Sequence, residues 1–249
     1  MKSMTDPDGT VLVSRCVLPV SLIPLTDSCR CSGTVQTVII ANMVQYKLTY
    51  FDVMGLGEAI RFLLSYGGAD FEDVRVSADL GSEEWKKLKP STPFGQLPIL
   101  EFDGQVYSQT LPICRYLAKQ YNLLGKTDVD ALQIDAIANA LHDLRKQIAL
   151  FYREKDPVVK AKKKEEVLST FLPFYLKKLD ELARDNGGYF HGGELSYADL
   201  FFVAMSDSIN TACGFDITKD HPNLKTLKEN VLAIPNIKAW VQKRPKLDF

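Results

Sequence analysis

Two short segments between residues 92 and 121 have residue types that suit ligand binding: prolines before a predicted strand, and polar residues before a predicted helix. In the first, Pro93 and Pro98 lie close together directly before an apolar run. In the second, Gln109 and Thr110 precede a helix-like stretch, whose free N–H groups and dipole would attract a carboxylate. Ordinary turn chemistry, with Thr110 as a simple helix N-cap, explains each junction as well. The alternative is that both junctions hold one small ligand.

Aromatic side chains add further candidates. Tyr50 ends a predicted strand, and its hydroxyl can either donate to a reacting atom or simply pack in the core. Tyr46 lies on the same strand face, because strand side chains alternate with a period of two. Trp85 and Lys89 are four residues apart on a short predicted helix, so they share a face. They form either a ligand contact or a packed tryptophan beside a solvated lysine.

The elements that must position these residues alternate between strands and helices up to residue 121. Period-two patterns predict strands, 3.6-residue patterns predict helices, and the Asp103–Gly104 pair predicts a hairpin. The predicted segments are strands at 46–51, 71–76 and 97–102, a hairpin partner around Val106 and Tyr107, and helices at 58–66, 82–88 and 110–121. The order β-α-β-α-β-β-α predicts an α/β domain.

Beyond residue 122 the pattern is helical only. Residues 122–128 are typical of a linker, and the following apolar spacing predicts a long helix at 129–154. Further helices are predicted at 158–184, from Ser196 to about residue 209, at 223–233 and at 235–241. Ser196 and Asp199 have the spacing of a capping box, which indicates a folding role for both. The second half is therefore predicted to be an all-α domain.

Composition excludes several classes of protein. Thirty basic and 31 acidic side chains give a formal charge of −1, which argues against a nucleic-acid-binding protein. The sequence has no uninterrupted run of about 18 apolar residues, so we expect no transmembrane helix. The five cysteines are odd in number and unevenly spread, which favours a reducing, cytoplasmic location over a disulfide framework. The three histidines are scattered, so we expect no metal site.

The first 43 residues differ from the rest. The apolar stretch 11–25 is interrupted by Arg15, Pro19 and Pro24, unlike the core of a secretory signal. Three aspartates against two arginines are equally unlike a mitochondrial transit peptide. We expect residues 1–43 to form a weakly ordered extension.

Four separated blocks resemble a cytosolic glutathione transferase. They are YKLTYFDVMGLGEAIRF, TPFGQLPILEFDG, SQTLPICRYLAKQY and GELSYADLFF, and they occur in the family's order and spacing. The first strand and the tail IPNIKAWVQKRPKLDF resemble the sigma class, which includes arthropod enzymes and the haematopoietic prostaglandin D synthase. The resemblance implies a thioredoxin-like glutathione-binding domain at 44–122, an all-helical domain at 128–249 that contributes the hydrophobic-substrate site, and a homodimer.

The resemblance also implies roles for individual residues. Tyr50 matches the catalytic tyrosine, whose O–H donates to the glutathione sulfur, and the match disfavours Tyr46 in this role. The Leu97–Pro98 bond is expected to be cis, which turns the Leu97 backbone toward the cysteinyl part of glutathione. Gln109 and Thr110 match the pair that binds the γ-glutamyl carboxylate.

Four more residues match contacts to other parts of glutathione. Trp85 and Lys89 would reach its glycyl end, and Gln96 would lie near its backbone. Asp143 matches an aspartate that reaches the γ-glutamyl amino group from the opposite subunit. Glutathione is then a co-substrate, and no further cofactor is expected.

The chain also departs from the vertebrate prostaglandin synthase. Leu56 and Leu150 replace an arginine and a tryptophan, and the metal-responsive acidic cluster is diluted to Asn139, His142 and Asp143. These changes weaken the case for prostaglandin isomerisation and metal activation. They leave a more apolar predicted pocket for hydrophobic electrophiles, formed by Phe51, Leu56, Ile148 and Tyr152. The expected function is glutathione conjugation or peroxide reduction; endoperoxide isomerisation and a non-catalytic binding or crystallin-like role are the alternatives.

Overall fold

The computed structural model describes residues 45–247. The extension predicted for residues 1–43 lies outside this part of the chain. The described residues begin with a four-stranded sheet flanked by helices and continue as helices alone. The strands are β1 (Tyr46–Phe51), β2 (Phe71–Val76), β3 (Ile99–Phe102) and β4 (Gln105–Ser108). The helices are α1 (Gly55–Tyr66), α2 (Glu83–Leu88), α3 (Thr110–Gln120), α4 (Asp128–Tyr152), α5 (Pro157–Glu166), α6 (Leu172–Asp185), α7 (Tyr197–Cys213), α8 (Pro222–Ala233) and α9 (Pro235–Lys243).

The sheet has the strand order β2-β1-β3-β4. β1 and β2 are parallel and joined through α1, whereas β3 runs antiparallel to both β1 and β4. β1 is therefore an inner strand, with its side chains packed by neighbours on both edges. The register places Tyr50, near the end of β1, beside Arg75 of β2. This mixed sheet confirms the predicted thioredoxin-like domain.

The second half is built around α7, which is almost wholly buried. Both α1 and α4 pack against it, so α7 joins the sheet domain to the helical domain. Asp199 accepts hydrogen bonds from the backbone N–H and the hydroxyl of Ser196, at 2.7 and 2.6 Å, which confirms the predicted cap. The predicted all-helical second domain is confirmed as well.

Buried side chains form two clusters. The larger cluster spans both domains and includes most of α7. The smaller cluster consists of Tyr50, Val76, Trp85, Leu97 and Ile99. The predicted tyrosine thus belongs to a separate group of side chains at one end of the sheet.

The observed elements differ from the predicted ones at several boundaries. α1 begins at Gly55, three residues before the predicted start at Glu58. β3 begins at Ile99 and not at Leu97, because the cis Leu97–Pro98 bond precedes the strand. The helix predicted at 158–184 contains a wider π-helical segment, Val167–Phe171, between α5 and α6. No helix of residues 45–247 is long and apolar enough to cross a membrane.

Candidate active site

A cleft of about 490 Å³ lies between the sheet domain and α4. One side, which we term the strand-side wall, comes from the start of α1, the segment before β3 and the start of α3. It consists of Leu56, Gln96, Leu97, Pro98 and residues 108–112. The opposite side, which we term the α4 wall, consists of Asn139, His142, Arg145 and Lys146. The cleft thus brings together Gln96, Leu97, Pro98, Gln109 and Thr110, five of the residues predicted to bind glutathione.

Tyr50 lies beneath the strand-side wall with only 3% of its surface exposed. Its hydroxyl oxygen accepts a hydrogen bond of 3.1 Å from the backbone N–H of Leu56, which itself lines the cleft. A phenol oxygen can accept one bond and still donate its own proton. Within residues 45–247, no acceptor takes that proton. The Tyr50 O–H is therefore free to donate beside the cleft.

Two glycines allow α1 to approach Tyr50 this closely. A Cβ atom at Gly57 would lie 2.6 Å from the Tyr50 ring, and one at Gly55 would lie 2.7 Å from its hydroxyl. Gly55 also has a φ of +37°, which L side chains rarely adopt. Sequence analysis missed this role, because glycine near a helix start resembles an ordinary helix-breaking signal. The sequence feature that could have indicated this close approach is the pair of glycines, Gly55 and Gly57, shortly after Tyr50.

The loop between β1 and α1 is braced from inside. Arg61, fully buried on α1, donates to the backbone oxygens of Val53 and Met54 at 3.1 and 3.4 Å. Its charge is balanced by Glu58 at 3.2 Å and Asp73 at 2.9 Å. These bonds fix the residues directly before Leu56 and so hold the N–H that contacts Tyr50.

Gln109 has an unusual backbone conformation at the start of α3. Its φ of 73° and ψ of 118° are uncommon for a residue other than glycine. Such conformations cost about 1–3 kcal/mol and cluster where a ligand is held. Gln109 is exposed, whereas the adjacent Thr110 is only 4% exposed. Both residues line the cleft at the helix N-terminus.

Trp85, Lys89 and Phe51 lie next to the cleft but do not line it. Trp85 is buried and packs edge-on against Phe51, with ring centroids 5.1 Å apart. Ser82 caps the helix that carries Trp85, as predicted, by accepting from its backbone N–H at 3.2 Å. Lys89 is exposed, and its chain runs alongside Gly95. The glutathione contacts of Trp85 and Lys89 and the place of Phe51 in the hydrophobic pocket stay predictions.

The α4 wall is where sequence analysis was least informative. Arg145, only 8% exposed, was not predicted as a site residue. The buried Nδ1 of His142 has no hydrogen-bond partner among the described residues. Burial lowers the pKa of His142, as do the nearby Lys146 and Arg145, while Asp143 partly offsets them. The available signal was spacing, because residues 139, 142 and 146 recur at helical intervals on one face of α4.

The remaining predicted residues of α4 lie away from the cleft lining. Asp143 is exposed and forms an ion pair of 3.3 Å with Lys146. Ile148 is 2% exposed in the larger core cluster, against which Tyr152 also packs. The amine of Lys160 lies 5.7 Å from the centre of the Tyr152 ring. Of the four residues predicted to form the hydrophobic pocket, only Leu56 lines this cleft.

The α4 wall carries Asn139 and His142, two of the three residues that replace the metal-responsive acidic cluster of the vertebrate enzyme. In residues 45–247 no group of three histidine, cysteine, aspartate or glutamate side chains is placed to hold a metal ion. Asp143 is paired with Lys146, and His142 is kept neutral at pH 7 by its lowered pKa. The functional groups on this wall are therefore mainly hydrogen-bond donors and cations.

Comparison with known proteins identifies the architecture. Residues 46–119 match the family model of the glutathione S-transferase N-terminal domain, and residues 142–244 match a model of its C-terminal domain. The chain is 40% identical over 203 residues to a glutathione S-transferase of Anopheles gambiae, which covers 82% of this chain and 98% of the relative. It is 38% identical over 205 residues to the haematopoietic prostaglandin D synthase of Gallus gallus, which covers 82% and 98%.

A solved structure agrees with these sequence relationships. The structure of prostaglandin synthase D of Nilaparvata lugens superimposes with a TM-score of 0.77 at 38% identity. The match covers 82% of this chain and all of that chain. Together with the mixed sheet, the helical second domain and the cleft between them, these relationships confirm the resemblance seen in the sequence: the chain belongs to the glutathione S-transferase family.

Proposed function

We propose that this glutathione S-transferase conjugates the glutathione thiolate to hydrophobic electrophiles such as lipid-peroxidation aldehydes. The observation that carries the proposal is the Tyr50 hydroxyl, which accepts from the Leu56 N–H and keeps its own proton free beside the cleft. In this role Tyr50 donates to the sulfur and does not remove its proton. The thiol proton leaves to solvent, and the thiolate then forms the new carbon–sulfur bond.

The energetics of one hydrogen bond suit this task. A free thiol has a pKa of about 8.5, and lowering it by about two units requires roughly 2.7 kcal/mol of preference for the thiolate. A hydrogen bond to a charged group contributes about 1.5–3 kcal/mol. The Leu56 N–H polarises the phenol and strengthens it as a donor, because hydrogen bonds in a chain reinforce one another. Tyr50 can therefore supply most of the effect.

The strand-side wall would hold glutathione itself. The start of α3, with Gln109 and Thr110, is suited to the γ-glutamyl carboxylate, since helix N-termini favour negative charge. The backbone of Leu97 would pair with the cysteinyl part, beside the cis bond to Pro98. Gln96 lines the same cleft near the ligand backbone.

Other contacts extend from this centre. Lys89 and Trp85 would reach the glycyl end of glutathione. Asp143 would contact the γ-glutamyl amino group in the partner subunit of a homodimer. Its exposure and its weak surface ion pair leave the carboxylate accessible for such a contact.

The electrophile would bind in the pocket predicted from Phe51, Leu56, Ile148 and Tyr152. Leu56 packs against both buried clusters and also lines the cleft, so it can connect the sulfur position with an apolar surface. The same thiolate could reduce a hydroperoxide, which is the peroxidase activity expected from the sequence. The whole reaction uses glutathione as co-substrate and needs no further cofactor. We place the activity in the cytoplasm, in keeping with cysteine usage.

Isomerisation of a prostaglandin-type endoperoxide is the second candidate. It is favoured by the relative and the solved structure that are named as prostaglandin D synthases. It is disfavoured by Leu56 and Leu150, which stand where the vertebrate enzyme is expected to have polar and aromatic side chains. A third candidate, sequestration of ligands without catalysis, gives no reason for a free hydroxyl proton beside the cleft.

A substrate panel on the purified enzyme tests the proposal. We expect glutathione conjugation with a chromogenic aryl halide and with long-chain unsaturated aldehydes, and lower kcat/KM for short polar aldehydes. Cumene hydroperoxide measures the peroxidase reaction, and an endoperoxide substrate measures isomerisation. Endoperoxide turnover that far exceeds every conjugation would favour the second candidate. Glutathione binding without turnover of any substrate would favour the third.

A further inference from the structure

Arg145 is a largely buried cation that has no counter-charge among the residues that the structure describes. It is 8% exposed and lies on the α4 wall of the cleft. Residues 45–247 provide neither an ion-pair partner nor a hydrogen-bond acceptor for its guanidinium group. Its guanidinium nitrogens are not among the fully buried atoms that lack a partner, so they are open to the cleft, and an anion that binds there would compensate a charge held in a mostly buried site. A residue that served only to pack α4 would not need this charge.

The other buried arginine among residues 45–247 shows the contrast. Arg61 is fully buried, and it pairs with Glu58 and Asp73 and donates to two backbone oxygens. Its charge is thus balanced by two carboxylates, although its Nη2 lacks a hydrogen-bond partner among the described residues. Arg145 has no such set of partners, and its side chain faces the cleft, where a bound anion would compensate it.

The surrounding charges indicate which part of a ligand Arg145 would meet. Burial lowers the pKa of Arg145, the phenol of Tyr50 raises it, and Arg153 lowers it further. An arginine remains charged despite such effects, because its ordinary pKa is above about 12. Arg145 and Leu56 line the same cleft, and the Leu56 N–H is bonded to the Tyr50 hydroxyl, so the guanidinium group and the phenol border one space.

The neighbouring groups on α4 leave this role to Arg145. Burial and nearby cations keep His142 neutral at pH 7. Lys146 is exposed and paired with Asp143 at 3.3 Å. Arg153 is exposed at the end of the helix and does not line the cleft. Arg145 is therefore the buried cation that faces the Tyr50 side.

We propose that Arg145 stabilises the glutathione thiolate together with Tyr50, by placing a positive charge across the cleft from the Tyr50 hydroxyl. This inference rests on the proposed function, since it requires the sulfur to bind beside Tyr50. The thiol proton leaves to solvent, so Arg145 acts as a fixed charge and neither gives nor takes a proton. In return, the thiolate compensates the buried guanidinium group. Tyr50 and Arg145 then stabilise the same anion, one by a hydrogen bond and the other by charge.

The test is a titration of the thiolate absorbance of the enzyme–glutathione complex. We compare the wild type with R145M, which removes the charge, and with R145K, which keeps it. R153M is the matched control, because it removes an exposed cation at the C-terminal end of the same helix. We expect R145M to raise the pKa of the bound thiol by about one unit, the lower end of the effect of a nearby opposite charge. R145K should keep most of the lowered pKa, and R153M should not change it.

Kinetics provide a second readout that a packing role would not affect. For R145M we expect kcat/KM to fall about tenfold at pH 6.5 and to recover above pH 9, where the thiol ionises unaided. Thermal unfolding of each variant shows whether the fold is retained. If R145M does not fold, R145Q, whose amide can hydrogen-bond without charge, carries the same expectation.

The outcomes separate this inference from the proposed function. A wild-type complex whose thiol pKa is no lower than that of free glutathione contradicts the proposed function. A lowered wild-type value that R145M leaves unchanged overturns only the role of Arg145. A change confined to KM for the electrophile also overturns it, because Arg145 would then contact that substrate and not the sulfur.

Discussion

The strand-side wall and the α4 wall face each other across one cleft, but they present different chemical groups. The strand-side wall offers the backbone around Leu97, the start of α3 and, just beneath, a tyrosine whose oxygen is already hydrogen-bonded. The α4 wall offers side chains, among them the unpaired Nδ1 of His142 and the uncompensated Arg145. The strand-side wall therefore presents mainly backbone groups and one tyrosine O–H, whereas the α4 wall includes two polar side chains, His142 and Arg145, that lack a partner among residues 45–247.

This difference separates two tasks. Backbone groups are fixed by the path of the chain and suit a co-substrate that is the same in every reaction. Side chains on one face of a helix can be changed without altering the fold, so they suit the adjustment of charge and substrate preference. We therefore expect substitutions in the strand-side wall, or in Tyr50 beneath it, to affect thiolate formation and glutathione binding. Substitutions on the α4 wall should have smaller effects on activity that depend more on the substrate.

The largest effect should come from Y50F. The substitution keeps the ring that fills the smaller core cluster and removes only the donor. We expect kcat to fall by about ten- to a hundredfold, with near-normal glutathione binding, because one hydrogen bond to a charged group is lost. The pKa of the bound thiol should rise by about one to two units. Steady-state kinetics and the titration of thiolate absorbance measure both effects.

Y46F is the matched control for this change. Tyr46 lies on the same strand and is also buried, but it packs edge-on against Phe102 in the larger cluster. We expect its kcat to remain within about twofold of the wild type, a margin of under 1 kcal/mol. Equal losses in the two variants would show that strand packing, and not the hydroxyl of Tyr50, controls the rate.

The next effect concerns the backbone at Gln109. Both Q109A and Q109G remove the side chain, but only glycine adopts a φ of 73° without strain. We expect both variants to raise KM for glutathione about three- to tenfold, the loss of roughly one hydrogen bond. Q109G should be more stable than Q109A by about 1 kcal/mol, because the strain is relieved. Equal stability of the two variants would show that the conformation stores no strain.

The sequence predicted most of the strand-side wall and little of the α4 wall. Gln109, Thr110 and the segment before β3 lie in short motifs with turn and cap chemistry, which explains them equally well without a ligand, and it was the resemblance to a glutathione transferase that assigned them to a binding site. The approach of Gly57 to Tyr50 depends on how α1 packs on β1, which no local pattern specifies. Arg145 lies in a helix predicted from its apolar spacing, and a single sequence does not show that a charged residue there is buried.

A smaller effect is expected for Asp143, which is proposed to contact glutathione bound in the cleft of the partner subunit. D143N should raise KM for glutathione about three- to tenfold and leave kcat nearly unchanged, because it removes binding common to the ground and transition states. Its ion pair with Lys146 is exposed, so the stability of the fold should not change measurably.

Glu181 provides the control for D143N, since it also forms an i,i+3 surface ion pair, with Lys178 at 2.8 Å. E181Q should leave both kinetic constants unchanged. Sizing chromatography with activity measured over a dilution series tests the subunit contact itself. A monomer that is fully active, or a D143N enzyme with normal KM, would contradict the proposed role.

The smallest expected effect is on stability and comes from His142. Its pKa is lowered by burial and by the adjacent cations, so the folded protein binds fewer protons there than the unfolded chain. Stability therefore falls as the pH drops through about 6.5, the ordinary value for histidine.

H142F removes both the titrating group and the unpaired Nδ1, and keeps a ring edge-on to Phe201, whose centroid lies 6.4 Å away. Between pH 7.5 and 5.5 we expect H142F to lose less thermal stability than the wild type, by about 1–3 °C in Tm. Burial raises the pKa of Asp199 to about 6, so this group also titrates in the interval, but it does so in both proteins and cancels in the comparison. Calorimetry at both pH values decides the matter. If the two Tm profiles are parallel, His142 binds protons equally in the folded and unfolded states, and the contrast between the two walls does not extend to its protonation.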